Sequence, residues 1–528
     1  MIATSATAFS TAFHEAAHAP ERIEKARWAL ELPYFRWLHE QLPEPFFHTQ
    51  AFLLFLLVVA VAYWTVPRRM NTARVWLLVI ASFHFYAAWN ASLALLVTGT
   101  TIADFFLAQL IDRGQRPRVR KLLLFASVGM NLGILCYFKY RGFFLNELHD
   151  LVGRVGFDAG YRTLSPLDII VPFGISFYTF EAISYAVDVY RRKIRAERSL
   201  PHFLLFILFF PHLVAGPIVR AGDFLWQAHR VKRWNWLRVQ VGLQLFLLGV
   251  FKKLAIADRM AVFTDGTGAQ PGPFLMPELH NTSSLWLAAM AYALRIYCDF
   301  SGYSDMALGI AHLFGFKLTQ NFNMPYLAAN VSEFWRRWHI SLSTWLRDYV
   351  FIPLGGSRAG AWVTNRNLMI TMILGGLWHG ANWTYVVWGL LHGLLLVIHR
   401  QFRAWSVTKP KLEAALNTWV GTAARVGLTF ACVTLCWVFF RPECAKSITM
   451  LQRMFGLYDG LTLPLHNRSL WYTVLFVLLC HLLVARGLWQ KFWERAPAAV
   501  LGVGYAVCLT VAMVLAPDGG KTFIYFTF

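Results

Sequence analysis

The chain has 528 residues, of which 57% are hydrophobic and only 15% charged, well under the roughly 25% charged residues of a soluble domain. Its formal net charge is +21, but the cations sit in short loops between apolar segments rather than on one soluble face. That pattern is a topology signal and excludes nucleic acid as the partner, so the composition is that of an all-α, polytopic membrane protein without internal linkers.

In chain order, residues 1–49 precede the first apolar span as an N-terminal extension. No basic region followed by an apolar core marks a cleaved signal there. The stretch 14–47 mixes charges with Trp28, Leu30, Tyr34, Phe35, Trp37 and Leu38 and is interrupted by Pro20, Pro33 and Pro43. It predicts one or two short amphipathic helices lying on membrane lipid. Its HEAAH (14–18) matches the HExxH zinc pattern, yet Pro20 curtails such a helix and no third ligand is evident, so no metal is expected.

Residues 50–528 read as one membrane domain. Apolar stretches at 50–66, 74–89, 91–111, 122–140, 167–190, 239–257, 284–298, 302–316, 367–398, 426–440, 469–485 and 497–515 predict about eleven or twelve crossings. Four basic clusters, around Arg68 to Arg74, Arg113 to Lys121, Arg191 to Arg198 and Arg230 to Arg238, are expected in the cytoplasm. Six of the seven cysteines lie within apolar runs, which predicts packing residues and no disulfide framework.

The piece 203–219 lies between two of these basic loops, which one crossing cannot both leave in the cytoplasm. A re-entrant or broken segment is expected, interrupted at Pro211, Gly216 and Pro217. In CDFSGYSDMALG (298–309), Asp299 and Asp305 flank Gly302 inside an apolar region, where carboxylates either line a cavity or are buried and hydrogen-bonded. In 334–349, Trp338, Leu342, Trp345 and Tyr349 recur at helical spacing, with Arg336, Arg337, Arg347 and Asp348 between them. This predicts one helix at the interface or at a cavity mouth.

The run 367–398 would extend about 48 Å as one helix, beyond a roughly 30 Å hydrocarbon core. It should tilt, break or fold as a hairpin near Gly375, Gly376 and Gly380. His379 sits beside that break in a run free of Lys, Arg, Asp and Glu, and an ionisable residue there points to function. With His339, it is a candidate general base, because imidazole can take a proton near neutral pH and acyl transfer to a hydroxyl needs that proton removed. GISFYTF (174–180) lacks the GxSxG spacing of a hydrolase, and no GxGxxG or GxxxxGK loop is present. No internal duplication suggests inverted transporter repeats.

The stretches GISFYTFEAISYAVDVYR (174–191), FFPHLVAGPIVR (209–220), YCDFSGYSDMALGIAHLFGF (297–316), NFNMPYLAANVSEFWRRWHISLSTWLRDYVFIPLGG (321–356), RNLMITMILGGLWHGANWTYVVWGLLHG (366–393) and the closing FIYFTF (523–528) resemble the membrane-bound O-acyltransferases, in particular the alginate O-acetyltransferase branch. The resemblance implies about 11–12 transmembrane helices with re-entrant and interfacial helices around a central cavity. It implies His379 of the WHG motif as the catalytic residue, with His339 of RRWH beside it in function. Trp378, Asn382, Trp338, Arg337, Asp348 and Asp305 are the accompanying candidates for substrate binding.

It further implies an enzyme of the bacterial inner membrane that binds no cofactor of its own. Such an enzyme takes acetyl from a cytoplasmic donor, acetyl-CoA, towards a periplasmic acetyltransferase or other polysaccharide-modification proteins. The N-terminal extension departs from the family pattern and leaves the partner open. Three alternatives stand beside this reading: acetyl transfer to peptidoglycan or D-alanyl transfer to teichoic acid, a proton-coupled transporter using His379, Asp299 and Asp305, and a structural scaffold.

Overall fold

The structure, a computed structural model, describes residues 47, 49–154, 171–267, 269–463, 467–516 and 523–524. The amphipathic helices expected within 14–47 and the HEAAH stretch lie outside the described residues, as do the last four residues of the closing motif. The described residues form helices joined by turns and loops, with no strand beyond two isolated β-bridges.

Among the described residues, six helices are long and apolar enough to cross a membrane: Ala91–Arg113, Pro117–Arg154, Trp236–Asp265, Trp419–Trp437, Asn467–Ala485 and Ala498–Leu515. They are lipid-facing to different degrees; on Ala498–Leu515 only Leu501 and Ala512 are buried. The other expected stretches are largely helical over their described residues, but shorter or more polar. Thr282–Leu313, for example, carries Arg295, Asp299 and Asp305 through the centre of the protein.

That helix corrects one expectation. Segment 284–298 and residues 302–313 of the next lie in a single unbroken helix, because Gly302 serves packing rather than a turn. A Cβ on Gly302 would stand 2.8 Å from the carbonyl oxygen of Gly249, and one on Gly309 would stand 2.5 Å from that of Gly242. Two glycine pairs thus let the helices Trp236–Phe251 and Thr282–Leu313 touch backbone to backbone.

Of the three forms expected for the run 367–398, the structure takes the hairpin. The helix Ala361–His379 ends at Gly380, and Trp383–Ser406 returns from an Asn382 cap whose side chain accepts from the Thr384 N–H. Gly376 and Gly389 sit where a Cβ would meet the carbonyls of Tyr385 and Met372 at 2.1 and 2.4 Å.

The segment 203–219 is broken and almost wholly buried, as irregular backbone at membrane depth must be. Its first break, however, is at Phe209, between Leu200–Leu208 and Phe210–Leu213. Pro211 opens the second helix, where its missing N–H costs nothing. Gly216 folds back to within 2.3 Å, counted from a Cβ, of the Cα of His212.

The segment 334–349 also differs from the one interfacial helix expected. It forms two short helices, Val331–Arg337 and Ile340–Leu346, followed by a π turn, Arg347–Phe351. Trp338, Leu342 and Trp345 are buried in the core rather than anchored among headgroups.

The four basic clusters converge on one face through side-chain contacts. Arg74 donates to the Lys232 carbonyl at 3.0 Å, His229 pairs with Glu197 at 2.8 Å, and Arg120 donates to the Tyr190 carbonyl at 2.7 Å. Tyr190 ends the helix Ile175–Tyr190 at this face. Ser176, near its other end, is therefore about 20 Å deeper at 1.5 Å per residue.

Candidate active site

The hairpin delivers His379 as the last residue of its helix, and the two-helix segment delivers His339 between its halves. Their rings approach to 6.4 Å between centroids, although the residues are forty apart in sequence. Both are buried, at 3% and 0% exposure.

The walls around them are aromatic. Trp378, Trp388 and Phe440 stand 4.9, 5.1 and 5.0 Å from the His379 ring, and Phe300 stacks on His339 at 4.6 Å. His339 has φ 42, a left-handed conformation that costs a residue with a Cβ energy and persists only where its surroundings enforce it. Here they do. The Ile340 N–H donates to the Asn321 carbonyl at 2.9 Å, Ser341 Oγ donates to Asn321 Oδ1 at 2.7 Å, and the Ile218 N–H donates to Ser341 Oγ at 3.0 Å.

A cavity of about 70 Å³ lies against His379, lined also by Trp378, Phe177, Ser176 and Lys139. A larger cleft of about 430 Å³ lies on the basic face, between Trp226, Arg238, His312, Lys317 and Gln320. Gln320 adjoins Asn321, so this cleft borders the segment that holds the His339 turn. The Lys232 ammonium, in the loop beside that cleft, is pushed down to about 8 by burial and by neighbouring Arg238 and Arg230.

Of the sequence candidates, the structure brings together His379, His339 and Trp378. Trp338 stands one aromatic layer back, against Phe322 at 5.0 Å and Trp437 at 4.9 Å. The remaining four are engaged elsewhere. Asn382 caps its helix and donates to the Pro442 carbonyl at 2.7 Å, and Arg337 pairs with Glu333 at 2.7 Å. Asp348 lies 3.4 Å from Arg220 on the side of the basic face, and Asp305 is 2.6 Å from Lys252.

Sequence reasoning passed over Lys139 and His392. Lys139 is the lone cation of the apolar run 122–140, a signal of the same kind as His379. His392 follows in the hairpin's second helix, fully buried against Trp388 at 4.7 Å.

A family model described as MBOAT, membrane-bound O-acyltransferase family, matches residues 189–424, which include both histidines. The chain is 42% identical to the probable alginate O-acetylase of Pseudomonas aeruginosa over 400 residues, covering 75% of this chain and 72% of that protein. Identity to the corresponding protein of Pseudomonas putida is 40% over 78% and 79% of the two chains. The peptidoglycan O-acetyltransferase of Helicobacter pylori is 37% identical over 74% of this chain and 75% of its own.

Proposed function

The chain belongs to the membrane-bound O-acyltransferase family and is a multi-pass membrane acyltransferase; from that premise we propose that it moves acetyl from a cytoplasmic thioester, acetyl-CoA, across the bacterial inner membrane for O-acetylation of an exported polysaccharide. The observation that carries the proposal is the ring-to-ring approach of His379 and His339 at 6.4 Å, with a cavity against one and a cleft bordering the other's support.

In this mechanism the acceptor hydroxyl enters the cavity side. His379 takes its proton as the oxygen attacks the acetyl carbon, and the thiolate that leaves on the cleft side is protonated in turn. His339, held in a strained turn, fixes the geometry from the other side. The aromatic walls exclude water that would otherwise consume the thioester. The Arg238, Lys317 and Trp226 side chains suit a donor with phosphates and an adenine ring. Periplasmic polysaccharide-modification proteins are the immediate partners in this scheme.

The acceptor is drawn from the relatives. The probable alginate O-acetylases at 42% and 40% favour an alginate-like exopolysaccharide, and the peptidoglycan enzyme at 37% favours a second reading. The test is the purified protein in proteoliposomes, given labelled acetyl-CoA on the basic face and either polymer with its periplasmic partner on the other. Label in the polysaccharide is the expected result. Label in peptidoglycan alone would establish the second acceptor, and no label from acetyl-CoA would remove it as the donor.

A further inference from the structure

We propose that Lys139 is a further catalytic residue of the transfer: its ammonium stabilises the oxyanion that forms on the acyl carbonyl opposite His379. This rests on the reading that acyl transfer occurs at His379.

The helix Ala361–His379 ends with unsatisfied carbonyls, as helices do. Three of them are met from one place. Tyr140 Oη donates to the Leu377 carbonyl at 2.8 Å, and Lys139 Nζ donates to those of Trp378 and His379 at 2.7 and 2.9 Å. Both residues belong to the π turn Cys136–Tyr140, which interrupts the long helix that starts at Pro117. Such turns recur at functional sites because the extra residue re-aims side chains. The partners of Lys139 are two carbonyls and a hydroxyl, Ser176 Oγ at 3.3 Å, the set suited to an ammonium with three protons to donate.

Two of those bonds hold the helix end in place. The third is the longest, and it faces the cavity that His379 lines. An oxyanion is a stronger acceptor than a serine hydroxyl, so it can take that bond over without disturbing the other two. Lys139 is the only Lys or Arg among the described residues lining this cavity. The first turn of the helix Ile175–Tyr190 lines it as well, adding the positive end of a helix dipole.

The step balances. The acceptor oxygen bonds to the acyl carbon while its proton passes to His379. The carbonyl π pair moves onto oxygen, and the Lys139 ammonium donates a hydrogen bond to the oxyanion so formed. The C–S bond then breaks as the carbonyl re-forms, and the thiolate takes the proton from His379. Thioester and alcohol become ester and thiol, with no other reactant.

The test compares wild type, Lys139→Ala and His379→Ala in the full-length protein, with acetyl and dithioacetyl donors. The latter replaces the carbonyl oxygen by sulfur, a poor hydrogen-bond acceptor. Lys139→Ala should lose about 100- to 1000-fold in kcat, as for a lost oxyanion donor, with little change in KM. Its preference for the acetyl donor should fall at least about tenfold below wild type, because the atom that Lys139 reads no longer matters.

An unchanged preference despite lower kcat would assign Lys139 to holding the helix end alone, and kcat within threefold of wild type would overturn the proposal outright. If Lys139→Ala does not fold, Lys139→Gln is measured in the same way; failure of both to fold leaves a structural lysine and overturns it too. A fully active His379→Ala, in contrast, would show that the underlying reading has failed.

Discussion

Two sets of ionisable side chains stand out in apolar sequence, and they have opposite surroundings. Lys253 lies 2.8 Å from both Asp258 and Asp299, and Asp299 also accepts the Ile524 N–H at 2.6 Å; Lys252 faces Asp305 nearby. These charges meet opposite charges, with Lys253, Asp258 and Asp299 almost fully buried. His379 and His339 instead face Trp378, Trp388, Phe440 and Phe300, and a cavity opens against one of them. The ion cluster is neutralised by opposite charge, whereas the two histidines are walled by aromatic rings. Both carboxylates of the proton-relay alternative, Asp299 and Asp305, are each paired with a lysine.

The ion cluster offers the hardest way to break this distinction. Lys253→Met leaves Asp258 and Asp299 facing each other without their cation, and should cost about 3–5 kcal/mol of stability, the range for breaking a buried pair. A sharp loss of folded protein in a thermal unfolding assay is expected. Normal stability with lost transfer would put the cluster among the functional residues. Asp299→Asn should be milder, because Asp258 still serves Lys253.

Next in size, Gly302→Leu should cost about 1–3 kcal/mol by overpacking, since its side chain would enter the Gly249 backbone. An unaffected unfolding temperature would mean that the helices do not meet there. The smallest effect belongs to Arg337→Gln. Its pair with Glu333 is one turn along a helix and partly exposed, worth about 0.3–0.5 kcal/mol. Unchanged stability with a large rise in KM would instead give Arg337 a part in substrate binding.

What could be read from the sequence follows from the range of the forces involved. The hairpin at Gly380 was partly legible, because a 32-residue apolar run exceeds the hydrocarbon core and carries glycines at 375, 376 and 380, and the broken 203–219 segment because its flanking charges conflict. The two-helix form of 334–349 was not. Its aromatic spacing runs undisturbed across His339, whose left-handed turn is held by Asn321 and Ile218 from elsewhere, acting on Ile340 and Ser341.

Gly302 looks like a break from local sequence, yet it is a contact with Gly249 some fifty residues away. The two histidines were each visible as anomalies, but no local pattern brings their rings together. Lys139 was a lone cation like His379, and what distinguishes it, its hold on carbonyls 239 and 240 residues further on, exists only in the folded chain.

The central claim is that His379 performs chemistry rather than packing. The most direct test is labelled acetyl incorporation by His379→Ala, measured beside its size-exclusion profile. The account predicts a folded protein at near-normal membrane levels with transfer lowered at least about 100-fold, the low end for a lost general base. Near-wild-type incorporation by the folded variant would contradict it and leave the scaffold reading standing, whereas loss of folding would make His379 a packing residue.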